Sequence, residues 1–369
     1  MAEQGVSRRG FLGTGAAAVG AAGLVASGAM GADAPPEIPK ERILNYNEKM
    51  DYRRWGKANL MISAVCLGGH WKRLNTVVPS AFQGGNWLGV STKNEEFLKN
   101  RYDVVTRCME VGINHIDACT RSETIAYSAA LKGRRDKMYL GYSWYEQEMR
   151  NGNFRTAEKL LKCLEDGLRD CGLDYVDLWR VTMHEQSQNH SNGEVEEMMK
   201  ALETAKKQGK ARFAGFSSHA RAHIKWMIET YPNIVDAAVT PYHADSHVLP
   251  KDSLFETVAK TGVAIFGIKP FSSGSLFQGD SSPNSPHREE DDRRARLAIR
   301  YILSNPAITA PIPGLISAQQ VDNVAAAIAE RRQAGELKRA EAEELKRAVD
   351  DSWAKLPPDY QWLKDWNYV

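Results

Sequence analysis

The chain has 369 residues, 43% hydrophobic and 25% charged, which is the composition of a globular protein long enough for one large α/β barrel. Its 48 basic and 46 acidic residues nearly cancel to +2, so no basic field for nucleic acid exists and that function class is set aside. The five cysteines (Cys66, Cys108, Cys119, Cys163, Cys171) include no CxxC pair, which argues for buried thiols over a disulfide framework or a cysteine-ligated metal.

Residues 1–34 read as a targeting segment. Ser7-Arg8-Arg9-Gly10-Phe11-Leu12 has the form of a twin-arginine export signal, and a Gly/Ala-rich apolar run from Gly13 to about Ala32 follows it. That run is too short and too rich in glycine for a good spanning helix, so no stable membrane insertion is expected once the signal is removed. The expected partner is the twin-arginine export machinery, and the expected location is periplasmic or otherwise extracytoplasmic. Residues 35–57 are polar, contain proline and read as a leader.

Strands and helices then alternate. Ile62–Leu67 is apolar and ends in Gly68-Gly69. Leu98, Tyr102, Val105 and Met109 have helical spacing. Ile113–Ala118 is the second expected strand, a helix runs from about Glu123 to Leu131, and Met138–Tyr142 is the third strand. Ala157, Leu160, Leu161, Leu164 and Leu168 form one helical stripe stopped by Gly172. Tyr175–Val181 is the fourth strand, and a stripe from Val195 to Ala205 closes at Gly209. The remaining strands are Phe213–Ser217, Val235–Thr240, Val263–Lys269 and the short Ala310–Ile312, with helices near 220–230, 253–260, 291–303 and 317–330. Eight strand–helix units with short connections predict a (β/α)₈ TIM barrel over 58–330. Residues 331–369 add a charged helix from about Gly335 to Trp353, then an aromatic tail with Trp362, Trp366 and Tyr368.

In such a barrel the chemistry belongs at the C-terminal ends of the strands. Seven of the nine histidines follow strands: His70, His184, His190, His219, His243, His247 and His287. Loops also collect polar residues, which accounts for many of these. His243 and His247 make only a weak ligand pair, so no metal is expected. Trp71, Trp87, Trp144, Tyr242 and Phe271 crowd the strand ends, available to stack on a ring or to pack the rim. Asp117 ends the second strand pointing inward. It either partners a cation of the site or forms a structural ion pair with Arg180, which points inward on the fourth strand.

Taken in order, GINHIDA (112–118), SE (122–123), LDYVDLW (173–179), GKARFAGFSS (209–218), GIKPFSSGSLF (267–277), AIRYILSNP (298–306) and IPG (312–314) with Gln320-Val321 resemble the aldo-keto reductase family from about residue 50 to 330. The resemblance implies a nicotinamide nucleotide, NAD or NADP, lying across the barrel mouth, and hydride transfer to or from a carbonyl or sugar. It also implies a tyrosine proton donor, a lysine that lowers the tyrosine's pKa, an aspartate that holds the lysine and a histidine that orients the carbonyl. Only Asp117 matches outright. The tyrosine is missing from the shortened loop Ala118-Cys119-Thr120-Arg121; Ser143 stands for the lysine and Thr182 for the histidine.

The residues expected to act are therefore Asp117, His184 (two residues past Thr182, on the same strand face) and Lys269, which ends the seventh strand. Tyr145 and Tyr242 are positional candidates for the absent proton donor. For the cofactor, the resemblance carries over Ser217 as the carboxamide ligand, Ser272, Ser273, Gly274 and Leu276 as a phosphate loop, and Gly314 and Gln320 on the adenosine side. Ser218, Thr240 and Ile268 depart from the family's asparagine, glutamine and stacking aromatic, and Ile316 stands where a basic residue reads the 2′-phosphate. Two other readings stay open: a cofactor-independent sugar lyase, isomerase or hydrolase on the same scaffold, and a non-catalytic binding protein.

Overall fold

The computed structural model describes residues 36–82 and 90–366; the targeting segment over 1–34, Trp87 and Tyr368 lie outside them. A hairpin of β1 (Tyr52–Arg54) and β2 (Met61–Ser63) comes first, paired antiparallel with Arg53 opposite Ile62. The Lys57 amide donates to the Gly262 carbonyl just before β9 (Ala264–Ile268), which sets the hairpin at the N-terminal ends of the strands. Trp55, wholly buried, plugs that end against His115, Phe213 and Phe266. The leader boundary expected at 57/58 thus falls inside a structural hairpin. The expected strand Ile62–Leu67 is split in two: its start serves β2 and its end serves the barrel strand β3 (Leu67–Gly68).

The barrel continues with β4 (His115–Ala118), β5 (Tyr139–Tyr142), β6 (Val176–Thr182), β7 (Ala211–Ser217), β8 (Ala237–Pro241), β9 and β10 (Ala310–Pro311), all paired parallel in chain order. A parallel bridge between Gly68 and Gly314, with the Gly68 amide donating to Pro313, closes β3 onto the segment after β10. This is the (β/α)₈ TIM barrel that the alternation of elements predicts.

Nine helices stand among the described residues: α1 (Glu95–Val111), α2 (Arg121–Ala130), α3 (Ala157–Cys171), α4 (Asn192–Lys207), α5 (Arg221–Thr230), α6 (Leu254–Thr261), α7 (Arg288–Ser304), α8 (Ala318–Ala334) and α9 (Arg339–Lys355). Their ends are locally encoded. Asn94, Thr120, Thr156, Ser191 and Ser317 each cap a helix N-terminus through the side chain. Thr120 with Glu123 and Ser191 with Glu194 form capping boxes.

Strand alternation sorts the interior. Ile116, Leu140, Trp179 and Val181 face the helices, while His115, Asp117, Tyr139, Leu178, Arg180 and Thr182 face the barrel axis. α9 packs Leu345, Ala348 and Val349 against Leu276, Leu297 and Ala298. Arg300 and Arg293 on α7 hold it through bidentate pairs to Glu341 and Glu344. A 3₁₀ segment, Pro358–Trp366, then returns the chain across the barrel mouth.

Candidate active site

Asp117 and Arg180 lock together inside the mouth. Arg180 Nε and Nη2 each donate to one oxygen of Asp117 at 2.6 Å, and both side chains are almost wholly buried. Gly141 on the intervening β5 makes room: a Cβ there would sit 3.2 Å from Asp117 Oδ1. Burial alone would depress the Arg180 pKa, but the Asp117 charge outweighs it and holds the guanidinium firmly cationic. Asp117 is thus the structural partner of Arg180, with both of its oxygens engaged by the guanidinium.

Around Arg180 stand Ser143 and Thr182, hydroxyls where the resemblance expects a lysine and a histidine. Arg180 Nη1 donates to Thr182 Oγ1 at 3.1 Å and to Cys119 Sγ at 3.6 Å. Thr182 Oγ1 also lies 2.8 Å from Ser143 Oγ and accepts from Ser217 at 3.3 Å. Beneath them sits Glu148, wholly buried, accepting from Ser143 Oγ, the Thr182 amide and the Trp179 indole. Burial raises the Glu148 pKa, and those hydrogen bonds offset only part of the rise. Burial likewise pushes the Cys119 thiol up to about 11 in spite of Arg180, so it is no thiolate nucleophile.

Glu123 ties the loops together. Its carboxylate accepts from the amides of His70 and Cys119 and from His70 Nδ1 at 3.0 Å. Burial opposes its ionisation, but His70 and the two amides win and the pKa is lowered. Gly69 is required here, since a Cβ would fall 2.0 Å from Glu123 Cδ. The Ser-Glu step of the sequence is therefore a clamp between the β3 and β4 loops.

The opposite side of the mouth is cationic. Lys269 follows β9 with φ of 62°, and Ser272 and Ser273 also have positive φ, of 47° and 61°. Three such residues in one short loop store strain of the kind found at functional sites. Lys72 Nζ donates to Ser273 Oγ at 2.8 Å and to the hydroxyl of Tyr360, which the returning tail delivers. Lys269 Nζ lies 5.6 Å from the Tyr360 ring centre. Burial lowers the Lys269 pKa, and Lys72 adds to this. For Tyr360 burial acts upward, but Lys269 and the hydrogen bonds from Lys72 and Ser273 overcome it, so its pKa is lowered. Two residues on, Trp362 stacks on His219 at 4.4 Å.

A cavity of about 450 Å³ runs between these two sides. Its walls include Asp117, Lys269, Ser217, Ser273, Gly274, Gly314 and Gln320, so most of the expected residues do converge. Others do not. Met183 and Glu185 line the cavity but His184 does not; its Nδ1 accepts from the Gln186 amide, because the chain turns after Thr182 instead of extending the strand. Ser272 is buried behind Ser273. Leu276 is buried in the α9 packing, and its carbonyl accepts from Arg294. The amides of Ser272, Gly274, Ser275 and Leu276 donate within the loop itself, so a phosphate here would meet the Lys72 ammonium and Ser273 Oγ before those four. Tyr145 lies on the wall, whereas Tyr242 sits behind β8 with its hydroxyl accepting from Asn305. Lys72, Glu148 and Tyr360 escaped sequence reasoning. The only cue was the aromatic tail, whose destination the sequence does not state. Among the described residues no cluster of three or more metal-type side chains forms.

The cavity's chemistry fits a nicotinamide dinucleotide. Ile268, Val239 and Met183 offer an apolar wall beside the Ser217 hydroxyl, suited to a flat ring with a carboxamide. Lys72, Arg73, Lys269 and Arg288 are among the cations lining the cavity, and they give a pyrophosphate positive charge to meet. Gln319, Gln320 and Asn323 supply amides at the far end, near Asp291 and Asp292. When bound, the nucleotide would supply the hydride equivalent; the protein's part is to hold it, exclude water and move the proton.

The chain is similar to known proteins in sequence and in fold. The chain is 26% identical over 196 residues to L-galactose dehydrogenase of Arabidopsis thaliana, an alignment covering 49% of this chain and 61% of that protein. It is 22% identical over 222 residues to an uncharacterized oxidoreductase of Schizosaccharomyces pombe, covering 57% and 73% of the two chains. The fold matches an aldo-keto reductase from Bacillus halodurans in its holo form, with a TM-score of 0.56 and 21% identity over 81% of this chain and 96% of that one. It also matches an aldo/keto reductase from Brucella melitensis, with a TM-score of 0.53 and 15% identity over 81% and 99%. The model of the Aldo/keto reductase family matches residues 84–344, well over half of the sequence. The chain belongs to the aldo/keto reductase family, whose members are NAD(P)-dependent oxidoreductases.

Proposed function

We propose that this protein is an exported oxidoreductase that moves hydride between a bound nicotinamide nucleotide and the carbonyl or hydroxyl group of a small sugar. The observation that carries the reading is that one cavity is lined by Ser217, Ile268, Lys72, Lys269, Gln320 and Asn323 together. Similarity to L-galactose dehydrogenase supports a sugar as the substrate class. The polar mouth supports it too, with hydroxyl, guanidinium and aromatic groups in reach of a polyol.

NAD is favoured over NADP. Ile316 is apolar where the resemblance places a basic residue that would read a 2′-phosphate. The twin-arginine-type motif Ser7–Leu12 supports export of the folded chain with its nucleotide already bound, to a periplasmic or other extracytoplasmic location. Asp117 acts through Arg180, and Lys269 acts at the mouth.

The test is calorimetry of the full chain with NADH and NADPH, after a scan of the purified protein for nucleotide absorbance. The expected result is co-purified nucleotide, or binding that is tighter for NADH by about tenfold, one charge–charge contact's worth. Turnover is then assayed on a panel of aldoses. No bound nucleotide and no heat on titration would end this reading.

A further inference from the structure

The family's proton-donor tyrosine is absent from the loop after β4, yet the mouth does contain a phenol. Tyr360 belongs to the 3₁₀ segment beyond α9 and is carried back onto the cavity wall. Its hydroxyl accepts from Lys72 Nζ, which also donates to Ser273 Oγ at 2.8 Å. Lys72 and Lys269 lie 3.9 and 5.6 Å from its ring centre.

The other phenols serve less well. Burial raises the Tyr145 pKa, with Glu146 adding to it, and Tyr242 lies off the cavity. Lys269, Ser272 and Ser273 are held at positive φ, and so is His70 on the Lys72 loop. The backbone strain of the mouth thus concentrates on the two loops that meet Tyr360.

We propose that Tyr360 is the proton-transfer residue of this enzyme, relocated to the C-terminal tail and activated by Lys72 and Lys269. This rests on the reductase reading above. In the reducing direction the carbonyl carbon gains a C–H bond from the nicotinamide hydride. The carbonyl π pair moves to oxygen, and that oxygen takes the proton from Tyr360 Oη. The products are an alcohol, the oxidised nucleotide and a phenolate, which solvent reprotonates. Oxidation runs the same steps backward, with the phenolate as base. The two ammonium groups stabilise the phenolate, which is why the phenol's pKa lies below its ordinary value. Other charged or titratable groups on the same cavity wall include Asp359 on the tail, Arg73 and His70 beside Lys72, Arg150, Glu185, and His219 under Trp362.

Two measurements on the full chain test this. The first is ultraviolet titration of the phenols without nucleotide. One of the 13 tyrosines should ionise ahead of the rest, be missing in Tyr360→Phe and move upward in Lys269→Met. The second is turnover of the aldose panel with NADH. Tyr360→Phe should lose about 10²-fold or more in kcat, keep its NADH Kd and melt like the wild type, and its pH profile should lose one limb. Superimposable phenol titrations, or a variant that keeps kcat, would overturn the proposal while leaving the reductase reading intact. A loss of NADH binding that matches the loss of turnover would overturn it in favour of a mere tail latch. If the wild type binds no nucleotide, the reductase reading itself fails and this proton step fails with it.

Discussion

The two sides of the barrel mouth are built on opposite principles. On the β4–β6 side the groups at the mouth pair with one another: Asp117 with Arg180, Arg180 with Thr182, Ser143 and Thr182 with Glu148. On the side formed by the β3 and β9 loops and the tail, Lys72 holds one phenol and one serine, Lys269 lies 5.6 Å from the same ring, and all border the cavity. A closed network stabilises, because removing any member strands a buried charge. An open cluster of like charges costs stability and is retained where a ligand or a reaction completes it. The side where the resemblance expects the reactive groups is thus a closed, ion-paired network here, and the open cationic cluster lies across the cavity from it.

The sharpest way to break that comparison is Arg180→Met. It leaves Asp117 buried and unpaired, and should cost about 3–5 kcal/mol in denaturant unfolding. Adding Asp117→Asn should restore most of the loss. If Arg180→Met were neutral, the closed network would have no structural meaning.

Acid comes next. His115 is wholly buried between Trp55 and Phe266, and burial lowers its pKa from 6.5 to about 4. Below pH 6.5 the unfolded chain binds this proton first, so stability is full above that pH and falls as pH drops toward 4. The loss reaches about 3 kcal/mol, read as a falling melting temperature. His115→Phe should flatten that limb. An unchanged acid limb would show that His115 titrates freely.

Glu123→Gln removes the carboxylate charge from the loop clamp and should cost about 2 kcal/mol at neutral pH. Because the Glu123 pKa is lowered in the folded state, the difference from the wild type should shrink as pH falls through the carboxylate range. A gap that stays constant with pH would argue against an ionised clamp.

Ser217→Ala tests the open cavity. It should weaken NADH binding by about 1 kcal/mol, close to fivefold, with unfolding nearly unchanged. Smallest of all, Lys99→Ala breaks only the exposed i,i+4 pair with Asp103 and should shift stability by less than about 0.5 kcal/mol. A larger effect would mean that exposed charge pairs matter here as buried ones do.

Much of this was legible in the sequence. The helix stripes and the glycine stop at Gly172 are local signals, and the helices follow them closely. The inward parity of Asp117 and Arg180 was readable because side chains alternate along a strand, and their pairing stood as one of two expectations. His184 failed on the same rule, since parity holds only while the strand lasts and β6 ends at Thr182. Leu276 failed because a Gly/Ser loop does not reveal which of its groups turn inward.

By itself the sequence determined the barrel, the order of its strands and the absence of the usual tyrosine, lysine and histidine, because periodicity and motif order are properties of neighbouring residues. Only the tertiary structure decided what replaced them. Lys72 and Tyr360 meet across 288 positions of the chain. That contact depends on α9 docking against α7 and on the tail turning back over the mouth. Packing between distant elements chooses such a path, and no local pattern of side chains encodes it.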